Sequence, residues 1–292
     1  MKVLFIINPK SGKRDGPGLE ALISEESRKQ GFEFLIHRLH SDDKEEDIKY
    51  EIDAYAPDIV AGAGGDGTIN FLARLLKNTN IPLLIIPLGS ANGMAKELGI
   101  GNRMDVAFGL ITKGFTKSID ILNINGQWCI HLADVGLNAR IVKRFENDSK
   151  RGLWTYAKHL FSEIFLIKKY TFHINADGNN FSRKAVSLTF ANASKYGTGA
   201  VINPVGKLND GKFELVIIKP FPRIKLISIT IKMFLGTLQT SEYVEVISCS
   251  EALIRTSRST TLQIDGEVCG KVKEIKIHIL QESLRVIVPE NL

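Results

Sequence analysis

Short apolar runs alternate with helical patterns through the first 120 residues of the chain. The runs are of strand length and lie between turn-forming residues, which predicts strands at Val3–Ile7, Phe32–Leu39, Asp58–Ala63 and Pro82–Leu88. Leu19–Lys29 has a helical pattern, and Ser41 is placed to cap a second helix whose first turn is acidic. This alternation predicts an α/β fold class, with a parallel sheet covered by helices on both faces.

The second part of the chain has the pattern of antiparallel strands joined by short turns. Asn125–Gly126 lies between two β-like runs, which is a strong signal for a two-residue hairpin. Ala176–Asn180 has the composition of another hairpin turn, and Gln263–Leu292 has the pattern of further strands and turns. We therefore predict an N-terminal α/β domain over residues 1–122 and a β-rich C-terminal domain over residues 123–292.

Two helical patterns interrupt the β-rich part. Pro222–Leu235 repeats aliphatic residues at helical spacing, which predicts a helix packed in the core. The repeating positions are Ile224, Ile227, Ile231 and Leu235. Arg151–Lys169 carries aromatic and aliphatic residues beside lysines, the pattern of a helix that lies at a membrane interface. A core helix with a basic outer edge is the alternative for this second segment.

The composition is that of a globular protein. Of 292 residues, 44% are hydrophobic and 24% are charged, which excludes a disordered or fibrous chain. The apolar runs stay below the roughly 20 residues that a membrane-spanning helix requires. Three cysteines, odd in number and far apart, form neither a disulfide framework nor a zinc pattern, so a reduced cytoplasmic protein is expected.

The net charge of +6 is unevenly distributed along the chain. Residues 1–120 carry 15 basic and 17 acidic side chains, a balance of −2, whereas residues 121–292 carry 23 and 15, a balance of +8. A basic C-terminal part suits nucleic acid or an anionic membrane, and a solvated face without a partner is the alternative. The basic segments lack the arrangement of a nucleic-acid-reading module, so we expect no nucleic acid partner.

The strongest chemical signal is the glycine-rich turn Gly62–Thr68, which directly follows a predicted strand. Glycines let a ligand approach the main chain, and the N–H groups of such a turn suit a phosphate. Gly62, Gly64 and Gly67 also satisfy the dinucleotide fingerprint, but Ile85–Leu88 replaces the acid expected about 20 residues later. A Rossmann dinucleotide site is therefore disfavoured, and the Walker phosphate loop is absent from the sequence.

Two residues of this turn have specific predicted roles. Thr68 is placed to cap the helix that follows. Asp66 either stabilises the turn by local hydrogen bonds or, at the carboxyl end of a strand, contacts a metal or a nucleotide. Asn8–Lys13 and Pro87–Gly93 are further turns at the same predicted sheet edge. Three such turns make a larger site than a single anion needs, which favours a nucleoside triphosphate.

These turns, in this order, resemble those of the bacterial diacylglycerol-kinase-like lipid kinases, relatives of the sphingosine and ceramide kinases. The matching segments are Asn8–Lys13, Gly64–Asn70, Pro87–Asn92, Asp120 and Ile264–Glu267, which together span almost the whole chain. The Gly-Gly-Asp-Gly-Thr element is shared with NAD kinases, so the later segments carry the specificity. The resemblance implies an α/β nucleotide-binding domain, a β-rich domain and an active site in the cleft between them.

The resemblance also implies which residues form the site. Asp66 would help to place Mg²⁺, and Asp265 or Glu267 would act as the general base on the lipid hydroxyl. Lys96 and Asp120 would extend a polar network across the domain interface. The residues implied to bind ATP are Asn8, Ser11, Lys13, Ser41, Gly64, Gly65, Asp66, Gly67, Thr68, Ile69, Asn70, Ser90 and Asn92.

The segment between Lys207 and Lys212 resembles the family's second divalent-cation loop. Asp210 would supply a carboxylate, and the backbone carbonyls of Lys207 and Lys212 would complete an oxygen-rich site for Mg²⁺ or Ca²⁺. An ordinary Asn-Asp-Gly turn is the alternative for this loop.

Two departures from the family pattern remove carboxylates near the predicted cation. Gly93 stands where an aspartate usually follows the asparagine of the third turn, and Phe71 stands where a glutamate is common. Three explanations stay open at this point: Asp66, Asp120 and Asp134 suffice for the cation, the activity is low, or the acceptor differs.

The combined signals predict a kinase that uses ATP and Mg²⁺ to phosphorylate a lipid hydroxyl, with diacylglycerol, phosphatidylglycerol or a sphingoid base as the acceptor. Such a protein would be cytoplasmic and would meet its lipid substrate peripherally, at the anionic inner face of the membrane, and a homodimer is left open. The alternatives are a catalytically weak nucleotide- or lipid-binding relative and a kinase for a soluble acceptor such as NAD.

Overall fold

The structure is a computed structural model that describes residues 1–11, 16–137, 168–197 and 199–290. The chain divides into two units, one of Met1–Ile119 with Glu282–Leu292 and one of Asp120–Gln281. The last residues of the chain belong to the first unit because the end of the final strand pairs there, whereas the sequence-based division assigns them to the second domain.

The first unit is built on a parallel sheet, as the alternating pattern predicts. Its elements are β1 (Lys2–Ile7), α1 (Gly16–Gln30), β2 (Glu33–Arg38), α2 (Glu45–Tyr55), β3 (Ile59–Gly64), α3 (Asp66–Leu76), β4 (Leu83–Pro87), α4 (Gly93–Glu97) and α5 (Met104–Lys113). The strands lie in the order β2-β1-β3-β4, all parallel. Every residue of β3 and β4 is buried, as expected of a parallel sheet that is covered on both faces.

The helix that follows β2 starts later than predicted, so the capping role assigned to Ser41 is wrong. Helix α2 begins at Glu45, and Ser41 lies exposed in the preceding turn. The turn is fixed by Asp43, whose carboxylate accepts a hydrogen bond from the His40 backbone N at 2.8 Å and bonds to His37 Nε2 at 3.0 Å. These two bonds lower the pKa of Asp43 and delay the start of the helix.

The second unit is β-rich, and its strands pair mainly in antiparallel fashion. Its elements are β5 (Phe115–Ile124), β6 (Gln127–Cys129), β7 (Leu132–Gly136), β8 (Tyr170–Ala176), β9 (Asn179–Ala185), β10 (Ser187–Ala191), β11 (Phe213–Ile218), α6 (Lys225–Phe234), a 3-10 turn (Leu238–Thr240), β12 (Val244–Cys249), β13 (Glu251–Ile264) and β14 (Glu267–Val288). The main strand order is β12-β11-β10-β7-β13-β14. The chain enters this unit along β5 and leaves it along β14, where Val286 pairs with Leu83 of β4.

Three hairpins of this unit turn on two residues with left-handed backbones. The residue pairs are Asn125 and Gly126 (φ 52° and 86°), Asp177 and Gly178 (φ 46° and 81°), and Asp265 and Gly266 (φ 47° and 90°). Two consecutive left-handed residues form the turn whose twist matches that of paired strands, and asparagine, aspartate and glycine adopt this backbone most readily. The predicted hairpins at residues 125–126 and 176–180 are therefore confirmed.

Helix α6 lies within the predicted segment, but its repeating aliphatic residues are not in the core. Ile224, Ile227, Ile231 and Leu235 are 80%, 64%, 52% and 69% exposed. Ile229, on the other side of the helix, is buried and packs against the β-rich core instead. Helical spacing shows that a helix has an apolar face, but it does not show what covers that face.

The other predicted helical segment, Arg151–Lys169, lies outside the described residues except for its last two positions. Within the described ranges, no helix is both long enough and apolar enough to span a bilayer.

Candidate active site

The three glycine-bearing turns predicted from the sequence follow β1, β3 and β4 of the first unit. The strands are parallel and in register, with Ile7 opposite Ala63 and Gly64 opposite Pro87. The turns therefore lie side by side at the carboxyl edge of the sheet, the edge at which open α/β sheets bind ligands.

Asn8 joins the first turn to the second. Its backbone N donates to the Ala63 carbonyl at 2.9 Å, and its side-chain Nδ2 donates to Thr68 Oγ1 at 3.0 Å. Its Oδ1 accepts from the Lys10 backbone N, and its carbonyl accepts from the Ser11 backbone N, both at 3.0 Å. The Asn8 side chain is thus held by hydrogen bonds at both its oxygen and its nitrogen.

The second and third turns approach so closely that only glycine fits at their contact. A Cβ on Gly89 would lie 2.6 Å from the Gly65 Cα, and a Cβ on Gly64 would lie 2.5 Å from the Thr68 Cβ. The backbone N atoms of Leu88 and Gly89 both donate to the Gly64 carbonyl, at 2.9 and 3.3 Å. At these glycines the main chain therefore packs directly against the neighbouring turn or the start of α3.

Gly65, rather than Thr68, is the N-cap residue of α3, so the capping prediction for Thr68 is wrong. Helix α3 begins at Asp66, and Thr68 is buried within its first turn, where its hydroxyl accepts from Asn8. The start of α3 directs the unpaired N–H groups of its first turn toward this sheet edge, next to Gly67.

Asp66 connects α3 to α4. One of its carboxylate oxygens, Oδ1, accepts from the Met94 backbone N at 3.3 Å. Asn92, which precedes α4, has a left-handed backbone and donates from Nδ2 to the Gly89 carbonyl at 2.7 Å and to Asn102 Oδ1 at 2.9 Å. Its own Oδ1 is buried and has no hydrogen-bond partner among the described residues.

The remaining residues predicted to bind the nucleotide differ in their position on the sheet edge and in their exposure to solvent. Ser11 lies on the turn after β1, Ser41 after β2 and Ser90 after β4, with Ser41 and Ser90 exposed. Ile69 has a buried side chain, so it could meet a ligand only through its backbone, whose N already donates to Gly65. Asn70 is partly buried in the first half of α3. Lys13 lies outside the described residues.

In the second unit, Asp265 is the acceptor of a compact set of hydrogen bonds. Its Oδ1 accepts from the backbone N atoms of His131 and Leu132, both at 3.0 Å, and from Cys129 Sγ at 3.2 Å. Its Oδ2 accepts from the Ile130 backbone N at 2.9 Å. Burial raises the pKa of the Asp265 carboxyl, although these donors act in the opposite direction. Burial and the neighbouring carboxylate raise the pKa of the Cys129 thiol, which therefore keeps its proton and donates.

Glu267, two residues after Asp265, has a different environment from that buried carboxylate. It is the first residue of β14, pairs with Ile264 across the hairpin, and is exposed. The structure thus separates the two carboxylates of the Asp-Gly-Glu segment: one is tied to main-chain N–H groups, and the other extends into solvent.

A series of buried hydrogen bonds that leads to this hairpin turn is not apparent from the sequence. Asp134, fully buried on β7, accepts hydrogen bonds from Thr189 Oγ1, from Tyr196 OH at 3.0 Å and from Gln263 Nε2. Gln263 Oε1 in turn accepts from the Gly266 backbone N at 2.8 Å. The sequence signal for these hydrogen bonds is a lone aspartate inside the apolar run Leu132–Gly136.

Asp120 anchors the loop that was assigned to a second cation. Its Oδ2 accepts from the Gly211 backbone N at 2.8 Å, and its own N donates to the Leu208 carbonyl at 2.6 Å. Asp210 is exposed, and its Oδ1 accepts from the Lys212 backbone N at 3.1 Å. The described residues hold no cluster of three histidine, cysteine, aspartate or glutamate side chains placed for a metal. The cation site at Lys207, Asp210 and Lys212 stays a prediction.

Lys96 lies on α4 in the first unit and is partly buried, and Asp120 is the first residue of the second unit. Their shared role in a polar network likewise stays a prediction.

Two family models match the chain. Residues 2–124 match the diacylglycerol kinase catalytic domain, and residues 132–288, more than half of the chain, match the YegS C-terminal NAD kinase beta sandwich-like domain. The fold and the matched models thus define a two-domain protein with a kinase-type α/β domain and a β-rich domain. The chain belongs to the bacterial diacylglycerol-kinase-like lipid kinase family, as the sequence motifs indicate.

Individual relatives are similar along most of this chain. An uncharacterized protein of Synechocystis sp. is 27% identical over 246 residues, which cover 81% of this chain and 56% of that protein. A diacylglycerol kinase of Bacillus subtilis is 25% identical over 293 residues, covering 98% and 96% of the two chains. The crystal structure of a diacylglycerol kinase from Bacillus anthracis has a TM-score of 0.78 at 20% identity and covers 99% of this chain and 97% of its own, a likeness of fold.

Proposed function

We propose that the protein transfers the γ-phosphoryl group of ATP to a hydroxyl of a membrane lipid, with diacylglycerol as the first acceptor to test. The family membership and the Bacillus subtilis relative named diacylglycerol kinase support this choice of acceptor class. Phosphatidylglycerol and sphingoid bases are the other candidate acceptors.

The observation that carries the proposal is the glycine contact at the carboxyl edge of the first sheet. Gly65 and Gly89 let the main chain of the second turn pack against that of the third there, and α3 begins at the same place. In phosphoryl transfer the protein mainly aligns and neutralises phosphate groups, and backbone N–H groups at a helix start do both. Asn8 and Asn92 would hold the flanking turns in position through the hydrogen bonds described above.

Asp66 would hold the Mg²⁺ ion that accompanies the nucleotide. Mg²⁺ beside a nucleotide is usually bound by one or two carboxylates, with phosphates and water as the other ligands, so a single aspartate fits this mode. Asn92 Oδ1, buried without a partner in the described part of the chain, is a further oxygen at this edge. When bound, the ion would neutralise the charge that develops on the transferred group. Neither Gly93 nor Phe71 adds a carboxylate to this set.

Glu267, rather than Asp265, would be the general base. Asp265 accepts hydrogen bonds from three main-chain N–H groups and a thiol, and a proton taken up there would disrupt that set. Glu267 is exposed, so an acceptor hydroxyl can reach it. It would take the hydroxyl proton as the lipid oxygen attacks the γ-phosphorus and ADP leaves, a contribution of roughly 10²–10⁴-fold in rate.

The experiment that tests the proposal supplies Mg²⁺ and γ-labelled ATP to the full chain with vesicles that contain each lipid acceptor in turn. Wild type should produce labelled phospholipid, and Asp66→Asn and Glu267→Gln should not. Asp105→Asn, an exposed aspartate on α5 outside the site, is the matched control and should retain the wild-type rate. Absence of labelled lipid with every acceptor, together with absence of ATP binding, would overturn the proposal.

NAD is included as a soluble acceptor because the C-terminal family model describes an NAD kinase-like β sandwich. Label on NAD but not on lipid would favour this second function. Nucleotide binding without turnover on any acceptor would favour a catalytically weak relative, and Gly93→Asp then tests whether the missing carboxylate is the cause.

A further inference from the structure

Helix α6 has two apolar faces, and within the part of the chain that the structure describes only one of them is covered. Ile229 and Met233 pack against the core of the β-rich unit. The other face carries five exposed apolar residues, which we call the α6 stripe: Ile224, Ile227, Ile231, Phe234 and Leu235. With 3.6 residues per turn, the α6 stripe occupies an arc of about 100° on the side opposite the buried face.

Basic residues border the α6 stripe. Lys225 and Lys232 are seven positions apart and therefore lie on one edge of the helix, between its two apolar faces. Lys225 is exposed, whereas Lys232 donates to the Thr240 carbonyl at 3.1 Å. From position 219 to position 241 the sequence contains four basic residues and no acidic one. An exposed apolar face beside cations is the composition of a helix that lies in a membrane interface.

We infer that the α6 stripe is the surface by which the protein lies on an anionic lipid bilayer. The five apolar side chains enter the boundary between headgroups and acyl chains, and the exposed Lys225 meets the lipid phosphates. The inference rests on the proposed function, because a kinase for membrane lipids has to reach a substrate held in the bilayer. It moves the membrane contact from the predicted segment Arg151–Lys169 to α6.

The charge of this surface favours a bilayer over a second copy of the chain. A two-fold dimer would place the same patch on both subunits against each other. The exposed Lys225 beside the α6 stripe would then be brought near the same residue of the second copy, with no acidic residue on α6 to compensate. An anionic leaflet supplies the opposite charge, at about a fivefold gain in binding for each lysine near the surface.

The test measures binding of the full chain to sedimented vesicles of phosphatidylglycerol with phosphatidylcholine, and to vesicles of phosphatidylcholine alone. Ile227→Glu should weaken binding to the anionic vesicles about tenfold or more. Lys225→Gln should weaken it about fivefold. Tyr50→Glu is the matched control, because Tyr50 is an exposed aromatic residue on the acidic helix α2 and should leave binding unchanged. Wild type should bind phosphatidylcholine vesicles more weakly.

The second arm separates this inference from the proposed function. If both hold, Ile227→Glu loses phosphorylation of diacylglycerol in vesicles but keeps the wild-type rate on a short-chain diacylglycerol dissolved as a monomer. If the protein is not a kinase, no variant phosphorylates either substrate, yet vesicle binding still depends on Ile227.

Three results would overturn the inference. The first is equal vesicle binding by wild type and Ile227→Glu. The second is a wild-type dimer that becomes a monomer in Ile227→Glu by light scattering, which would assign the α6 stripe to a second copy. The third is a loss of thermal stability in Ile227→Glu that Tyr50→Glu does not share, which would show that another part of this chain covers the face.

Discussion

Replacing Gly89 by alanine tests whether the contact between the glycine turns determines nucleotide binding. The new Cβ would lie 2.6 Å from the Gly65 Cα and 2.8 Å from Asn92 Oδ1. Real Cβ atoms essentially never approach within 3.0 Å, and ordinary contacts start at 3.4 Å, so the turns must separate by 3.0 − 2.6 = 0.4 Å to 3.4 − 2.6 = 0.8 Å. The nearest opposing atom, Gly65 Cα, is backbone, so a rotation of the Asn92 side chain cannot relieve that contact.

Two consequences follow from a shift of this size. Overpacking of a well-packed site costs about 1–3 kcal/mol in the free energy of unfolding. A displacement approaching 1 Å at a site that aligns phosphates costs about 100-fold in function. We therefore expect Gly89→Ala to lower the affinity for ADP, measured by calorimetry at fixed Mg²⁺, by about 10- to 100-fold and to lower the melting temperature.

Two further glycine variants provide the comparison. Gly65→Ala places its Cβ at 3.3 Å from the Gly89 Cα, a tight contact that a small adjustment relieves, so its losses should be smaller. Gly109 lies in α5, where a new Cβ would meet nothing within 4 Å. Gly109→Ala should therefore stabilise the helix by about 1 kcal/mol without changing the affinity for ADP. Unchanged ADP affinity and melting temperature in Gly89→Ala would refute the reasoning.

Three further predictions concern the β-rich unit. Partial burial raises the pKa of Asp177, but hydrogen bonds from two backbone N–H groups and a serine hydroxyl outweigh it, so the net pKa is lowered. This contribution to stability is present above the unfolded-state pKa and is lost as the pH falls. Asp177→Asn, which keeps a residue suited to the left-handed backbone, should therefore cost about 1 kcal/mol at pH 7 and nothing well below pH 4 in urea titrations. A cost independent of pH would contradict this. Gln263→Met removes the hydrogen bonds that link Asp134 to Gly266, so it should lower the rate of lipid phosphorylation without changing the affinity for ADP. If the variant phosphorylates lipid at the wild-type rate, this link does not position the hairpin. If the loop at Asp210 binds a divalent cation, Ca²⁺ or Mg²⁺ should raise the melting temperature of wild type but not of Asp210→Ala, and equal shifts in both would leave the loop as an ordinary turn.

The sequence predicted the features that depend on residues close together in the chain. Asn125–Gly126 and Asp177–Gly178 form their turns because asparagine, aspartate and glycine tolerate the left-handed backbone that a two-residue hairpin requires. The buried runs of β3 and β4 form parallel strands because an unbroken apolar run must be covered on both faces. Each of these outcomes is decided within a few residues.

The features that the sequence did not reveal depend on what a residue meets elsewhere. The apolar spacing of α6 correctly indicates an amphipathic helix, but whether Ile227 is buried depends on the surfaces around it. Ser41 is a residue type that often caps helices, but Asp43 fixes a turn by accepting from the His40 backbone N, and the helix begins only at Glu45. The bond from Asp134 to Gln263 joins residues 129 positions apart, and no local pattern encodes such a distance.

The two carboxylates of the Asp-Gly-Glu segment have different roles: Asp265 stabilises the turn, and Glu267 is exposed to solvent. Its hairpin turn requires a left-handed residue, and Asp265 supplies it while its carboxylate binds the N–H groups of residues 130–132. Gly266 completes the turn, and its N–H is held by Gln263. The turn is therefore fixed from two sides, so the position of Glu267 is set by bonds that do not involve its own carboxylate. A carboxylate positioned in this way keeps both oxygens available for an acceptor hydroxyl. We therefore expect Asp265→Asn to reduce both stability and turnover, whereas Glu267→Gln reduces turnover alone.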